Sequence, residues 1–163
     1  MNRRFGEAFS HCTNNLKQFG TALVTYSSAY NYLFPNTNNG TTYSKTRKSE
    51  SFEFLRQTQL DEPKSYICPS TTLTPADTGK NIAVGNFSYT YFMGLKETDS
   101  PSSAIVADAC DKDAAWNHDK KGAYLRLDSS VERGSGTTWY ESVKYQNKDD
   151  GTTVKVDDFK YAE

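Results

Sequence analysis

The sequence predicts an α+β fold in which one long N-terminal helix packs on an antiparallel β-sheet. Apolar residues in the first thirty positions recur at alternating spacings of three and four, which is typical of one face of a helix. After Pro35, short segments alternate apolar and polar residues and are separated by turn-forming residues. Because these strand-like segments all follow the helix, we expect a mainly antiparallel sheet.

The helix is predicted to run from near residue 3 to about residue 32. Its apolar stripe consists of Phe5, Phe9, Cys12, Leu16, Phe19, Leu23, Tyr26 and Tyr30. The intervening polar residues are expected to face water; they are Asn14, Asn15, Lys17, Gln18, Thr21 and Ser27. Pro35 and the asparagine-rich residues 36–40 end the helix. The same spacing is compatible with a coiled coil, but the presence of only one long helix favours packing on a sheet.

Shorter elements follow. A second helix is predicted from Ser49 to about Thr58, since an N-cap serine precedes two glutamates. Residues 66–70 are expected to be extended, and residues 71–81 to form an exposed loop. Strands are predicted over residues 87–93, 104–108 and 123–127, with a tight turn at Ser129–Ser130. Residues 139–145 and 152–156 are predicted to pair as a hairpin, because the Asp150–Gly151 dipeptide favours a hairpin turn.

Length and charge restrict the class of protein. The 163 residues fit one domain, 1–163, with residues 1–32 as the helix and 33–163 as a globular head. With 19 basic and 20 acidic residues, the net charge is −1 and no basic stripe exists, which argues against a nucleic-acid partner. No run approaches the ~18 consecutive apolar residues of a membrane span.

Two groups of residues resemble metal or acid–base sites. The first combines His118 with four aspartates: Asp108, Asp111, Asp113 and Asp119. Their spacing matches no ligand motif, so we interpret them as solvated loop residues. The second comprises residues 149–151 and 157–158, whose carboxylates could bind calcium, although a plain hairpin turn is the favoured interpretation. The sequence therefore predicts no catalytic, cofactor-binding or metal-binding residues, with calcium as the one cofactor left open.

Three cysteines allow at most one disulfide. Cys68 and Cys110 adjoin predicted extended segments, and a bridge between them is an even alternative to free thiols. Cys12 lies on the helix stripe and is predicted to be a small buried apolar residue. The sequence has neither a Gly-x-Ser-x-Gly elbow nor a phosphate-binding glycine loop, so we do not expect an enzyme.

Several motifs resemble, in order, those of bacterial prepilin-like proteins similar to the major pseudopilin of type II secretion, a group abundant in Planctomycetes and Lentisphaerae relatives. The most specific is Cys12-Thr-Asn-Asn-Leu-Lys-Gln-Phe-Gly-Thr-Ala-Leu23, followed by Tyr26, Tyr30 and Pro35. The later motifs are Tyr66-Ile-Cys-Pro-Ser70, Asn86-Phe-Ser-Tyr89 and Pro101-Ser-Ser-Ala-Ile-Val-Ala-Asp108. The resemblance covers residues 12 to about 133. Ser129 and Ser130 stand where the family usually has a Gly-His pair.

The resemblance implies a structural, non-catalytic subunit of a type II secretion or type IV pilus-like filament. Its partners would be other pseudopilin subunits and the secretion machinery. It also implies a leader with a prepilin-type methylation site and an apolar helix upstream of Met1, so the chain is expected to be a truncated, soluble form. The full-length protein would be periplasmic or otherwise extracytoplasmic, and that helix would anchor it in the inner membrane.

A binding module displayed on the envelope is the alternative function. Its aromatic-rich loops would recognise a polysaccharide or a protein partner. The aromatic residues that motivate this alternative are Tyr43, Tyr89, Tyr91, Trp116, Trp139 and Tyr140. The competing interpretation, which we favour, is that these rings form the core of a small aromatic-rich fold.

Overall fold

A computed structural model of the chain describes residues 2–35, 44–46, 55–71, 75, 77, 87–93, 95, 98–108, 118, 121–136, 138–146 and 153–155. The architecture is α+β, as predicted. Helix α1 spans Asn2–Ala29. The described part of the chain contains seven strands after it: β1 (Ser44–Thr46), β2 (Tyr89–Met93), β3 (Ala104–Asp108), β4 (Lys121–Arg126), β5 (Val131–Ser135), β6 (Lys144–Gln146) and β7 (Thr153–Lys155).

The strands form two antiparallel sheets. The larger has the order β1-β2-β3-β4-β5, and the smaller pairs β6 with β7. Strands β3 and β4 lie in the middle of the larger sheet, and α1 packs against both. Every residue of β3 is buried, whereas β5 at the edge is half-buried or exposed. Among the described residues, no helix has the length and apolar character needed to cross a membrane.

Helix α1 ends three residues earlier than predicted. The backbone turns left-handed at Asn31 and Tyr32, with φ angles of 56° and 61°. The Tyr32 amide donates a 2.7 Å hydrogen bond back to the Ser27 carbonyl, which satisfies one of the free carbonyls of the last helical turn. The helix therefore ends in a left-handed turn before the chain reaches Pro35.

The predicted stripe of α1 is buried at Phe9, Cys12, Leu16, Phe19 and Leu23. Two residues predicted to face water are buried with them: Asn15 is 3% exposed and Ser27 is 0% exposed. The prediction was wrong for both because the Asn15 amide and the Ser27 hydroxyl form hydrogen bonds inside the protein. The Ser27 hydroxyl donates to the Val24 carbonyl of its own helix, and Asn15 bonds across to the head.

The C-terminal hairpin is confirmed by β6 and β7, which pair with Tyr145 opposite Val154. Its first predicted residues differ, because Trp139–Ser142 form a 3₁₀ turn instead of strand. This turn brings the buried Trp139 indole over Gly122 of β4, where any Cβ would overlap the ring. Of the second predicted helix, residues 55–58 are helical, and its earlier residues lie outside the described ranges.

Candidate functional site

Within the described ranges, four potentially reactive side chains come together beneath the first half of α1. Cys12 of α1, Cys68, Asp108 at the end of β3 and His118 are all buried, and their sulfur, oxygen and nitrogen atoms lie within 4.8 Å of one another. Each comes from a different segment: Cys68 follows the 3₁₀ turn Pro63–Tyr66, and His118 bridges to the start of β4. Only the assembled tertiary structure brings the four together.

Cys12 and Cys68 form a disulfide across a sequence separation of 56 residues. The predicted Cys68–Cys110 bridge is therefore wrong, since Cys68 is already bonded; Cys110 itself lies outside the described residues. The pairing follows from the docking of α1, which places the Cα atoms of Cys12 and Cys68 5.2 Å apart. The bond ties α1 to the segment that connects β1 and β2 of the larger sheet.

The amide group of Asn15 adds a second tie between α1 and the head. Its Nδ2 donates to the Ile67 carbonyl and to the Tyr89 hydroxyl, at 3.1 Å each. Because Asn15 is one helical turn from Cys12, the polar tie and the disulfide lie side by side on the same face of α1.

The Asp108 carboxylate is held by the sheet. Its Oδ2 accepts a 2.9 Å hydrogen bond from the Ala123 amide of the neighbouring strand β4. The same oxygen lies 3.6 Å from His118 Nε2, and both side chains are about 1% exposed. A carboxylate buried in this way requires such partners, because removal from water penalises its charged form.

The His118 ring lies at the centre of several contacts, to Ser70, Cys68 and Phe9 as well as to Asp108. Its Nδ1 is 3.1 Å from the Ser70 hydroxyl and its Nε2 is 3.4 Å from Cys68 Sγ, while the Phe9 ring packs edge-on at 4.8 Å. Burial lowers the pKa of His118 to about 4, and the Lys121 ammonium contributes to the same shift. The loss of hydration is the larger of the two causes, and the imidazole is therefore neutral near neutral pH.

Ser70, His118 and Asp108 invite comparison with a Ser-His-Asp triad. In such a triad, the aspartate accepts a hydrogen bond from the imidazole nitrogen opposite the one that faces the serine. Here Asp108 is also nearest to the nitrogen opposite Ser70, but 3.6 Å is too long for a hydrogen bond, and a disulfide sulfur shares that position. The geometry is better suited to holding the imidazole than to activating Ser70.

The comparisons with known proteins give one match. Residues 10–157 match the model of a family described as "Protein of unknown function (DUF1559)". The chain belongs to the DUF1559 family. This family is typical of planctomycete pilin-like proteins with a prepilin motif. It agrees with the resemblance to pilin-like proteins in general. The comparison with curated proteins finds no match, and neither does the comparison with solved structures.

In this DUF1559 protein, the structure unites only two of the five residues predicted as a solvated loop group. Asp108 and His118 are buried in one site, so the solvated interpretation was wrong for them. The remaining three, Asp111, Asp113 and Asp119, lie outside the described residues, as do residues 149–151 and 157–158. The site also includes Cys12, Cys68 and Ser70, which were not grouped with His118. The available signal was Asp108 itself, since it ends an otherwise apolar segment, residues 104–108, that was predicted to be a strand.

The aromatic residues that suggested a binding surface are mostly core residues. Tyr89, Tyr91 and Trp139 are buried, and Tyr140 packs partly buried against the same core. Tyr43 and Trp116 lie outside the described residues. Among the residues that the structure describes, the exposed large apolar side chains of this DUF1559 protein occur instead around the end of α1, at Val24, Tyr30, Tyr32 and Leu33.

Proposed function

We propose that the chain is the helix and head of a pseudopilin-like structural subunit, which forms part of a type II secretion or type IV pilus-like filament and catalyses no reaction. The observation that carries the proposal is the attachment of α1 to the head. This 28-residue helix, about 42 Å long, is tied to the head by packing, by an amide and by a covalent bond.

A filament subunit needs this kind of attachment. In a filament whose subunits pack through their helices, any force on the head passes through the helix–head junction. Apolar packing alone can slip, whereas the Cys12–Cys68 bond cannot separate unless a covalent bond breaks. Phe19 adds ring contacts to Tyr66 and Tyr89, each with centroids 5.4 Å apart, directly beneath the junction.

The proposed location is extracytoplasmic, with an apolar helix upstream of Met1 anchoring the full-length protein in the inner membrane. A buried disulfide is consistent with this, because such bonds persist in oxidising compartments. The proposed partners are other pseudopilin subunits and the secretion machinery. Membership of the DUF1559 family supports the pilin-like part of the proposal.

The decisive experiment is expression of the gene with its own upstream coding sequence in the source cells. We expect a mature protein with a processed, methylated N-terminus and an apolar helix, and subunits that cross-link to copies of themselves in the envelope. Deletion of the prepilin peptidase should leave the leader attached. A start codon with no apolar segment before α1, or a product that is identical in the peptidase mutant, would refute the proposal.

A binding module is the second candidate, and the exposed cluster of Val24, Tyr30, Tyr32 and Leu33 is what favours it. Tyrosines and apolar side chains grouped on a surface suit a sugar face or a protein partner. A glycan array and an affinity pull-down with the intact chain distinguish the two candidates. Specific glycan binding that is lost in Tyr32→Ser would support the module, whereas recovery of secretion components alone would support the filament subunit.

A further inference from the structure

The disulfide does not account for the whole of the buried site. A structural disulfide requires neither an imidazole nor a carboxylate beside it, yet His118 and Asp108 converge on the sulfur atoms at a cost in lost hydration. The four groups offer two sulfurs, one nitrogen and one oxygen. This donor set is a familiar one for zinc, which takes cysteine, histidine and carboxylate ligands in tetrahedral geometry.

We propose that Cys12, Cys68, Asp108 and His118 form a zinc site when the two cysteines are reduced, so that the same site holds either a disulfide or a metal ion. This departs from the absence of metal ligands expected from the sequence. It is independent of the filament proposal, which concerns the attachment of α1 in the oxidised chain.

The distances between ligand atoms fit the proposal. In a tetrahedral zinc site, bonds of about 2.0–2.3 Å place neighbouring ligand atoms roughly 3.3–3.8 Å apart. Cys68 Sγ lies 3.4 Å from His118 Nε2, and that nitrogen lies 3.6 Å from Asp108 Oδ2. The bonded sulfur pair must lengthen, and breaking the disulfide removes the restraint that keeps these two atoms together.

The groups behind the ligands are also suitably arranged. If Nδ1 of His118 donates its proton to the Ser70 hydroxyl at 3.1 Å, the lone pair of Nε2 points at the cluster, which is the tautomer that a metal ion requires. The Ala123 amide fixes the Asp108 carboxylate in the same manner. Outer partners of this kind orient metal ligands in known sites.

The charge balance is also favourable. Zinc with two thiolates and one carboxylate carries a net charge of −1, which needs nearby cations in a buried site. Lys121 Nζ lies 4.7 Å from the centre of the Phe9 ring, and the Arg133 guanidinium lies 5.1 Å from it. Since that ring also packs against His118, both cations share with the imidazole a contact to the Phe9 ring.

The redox step has a defined balance. A water-soluble phosphine attacks one sulfur, the S–S bond breaks, and the phosphine is oxidised to its oxide with oxygen from water, while water supplies the two thiol protons. Zinc binding then releases both protons to solvent as thiolates form. Because the disulfide is buried, reduction is carried out in denaturant, and the full chain is refolded by anaerobic dilution.

The test uses Co²⁺ as a spectroscopic probe and Zn²⁺ as its competitor, in a Cys110→Ser background that removes the remaining thiol. We expect the reduced chain to bind one equivalent of Co²⁺ with thiolate charge-transfer bands and intense tetrahedral bands, and Zn²⁺ to displace it. His118→Gln and Asp108→Asn should each weaken binding by at least about 100-fold, since outer-shell partners alone contribute 10- to 100-fold. The exposed His11 offers the matched control, and His11→Gln should change affinity by less than about twofold.

Several results would overturn the proposal: no such bands in the reduced chain, equal binding by the oxidised chain, or losses below about tenfold in both ligand variants. Where a variant fails to fold, X-ray absorption of the zinc-loaded parent must show two sulfur and two lighter ligands, and any other set refutes the site. If the reduced chain is unfolded, zinc must restore its helical circular dichroism, and failure to do so also refutes the site.

Discussion

The two parts of the predicted apolar stripe have different environments in the structure. In the anchored segment, residues 9–23, the stripe is buried and tied to the head through Cys12 and Asn15. In the exposed segment, residues 24–33, the last stripe residue Tyr30 is 45% exposed, and Leu33, which follows the stripe, is 49% exposed. Periodicity identifies which side chains share a helix face, but burial depends on what lies opposite that face.

Two tyrosine side chains of the exposed segment pack against each other. The rings of Tyr26 and Tyr30, one helical turn apart, stack with centroids 4.3 Å apart and planes inclined by 21°. Burial raises the pKa of Tyr26, and the neighbouring Tyr30 adds to the shift, so this ring is already partly withdrawn from water. The anchored segment is therefore buried against the head along its stripe, whereas the exposed segment meets the core mainly through Tyr26 and the buried Ser27.

The largest test of this comparison removes the disulfide. Cys12→Ser and Cys68→Ser should each lower the free energy of unfolding by about 4 kcal/mol, because the bond closes a loop across a separation of 56 residues. Urea denaturation measures the loss. The denatured, unreduced parent should show one reactive thiol, and Cys110→Ser should show none. Three reactive thiols in the parent would contradict the pairing.

The next largest effect is a pH dependence in the disulfide-bonded, metal-free protein. His118 has a folded pKa of about 4, below its ordinary value of 6.5, so the unfolded chain binds the extra proton between these values. Stability should fall as the pH drops from 6.5 towards 4, by about 3 kcal/mol in total. The two charged residues that lie beside the His118 ring, Asp108 and Lys121, are unchanged in the variants compared below.

Urea midpoints measured across this pH range give the slope. His118→Gln should remove this component, whereas His11→Gln should retain it, because His11 is exposed on α1. A slope that is unchanged in His118→Gln would show that another group is responsible.

A smaller effect separates two adjacent asparagines. Asn15→Ala should lower the free energy of unfolding by about 1–3 kcal/mol, since the Ile67 carbonyl and the Tyr89 hydroxyl lose a buried partner. Asn14→Ala changes the same side chain on the exposed face, and its gain in helix propensity is the same. The difference between the two thermal denaturation curves therefore isolates the buried contacts. Equal stabilities would show that Asn15 does not anchor α1.

The smallest effect belongs to the exposed segment. Leu33→Ala should change the free energy of unfolding by less than about 1 kcal/mol, because half of the side chain is already in water. Leu23→Ala is its counterpart in the anchored segment, where the side chain is 2% exposed, and should cost about 2–5 kcal/mol. Comparable losses would mean that the two segments do not differ as the structure shows.

Much of the fold could be predicted from local pattern, whereas the site could not. Asn15 was assigned to the water-facing side from its polarity, although it lies three residues after Cys12 and four before Phe19, which places it on the buried face. The disulfide was assigned to the wrong partner because connectivity is not encoded in spacing. His118 was interpreted as a loop residue, since its only cue to burial is a strand that ends ten residues earlier, at Asp108.

The sequence alone determined the long helix, the antiparallel strands and the C-terminal hairpin. Each of these follows from side-chain periodicity or from turn residues that act on neighbouring backbone. The tertiary structure alone decided that Cys12 meets Cys68, and that Asp108 and His118 meet both. Contacts over such separations depend on where α1 crosses the sheet and on the register of β3 and β4, and those are set by the packing of the whole core.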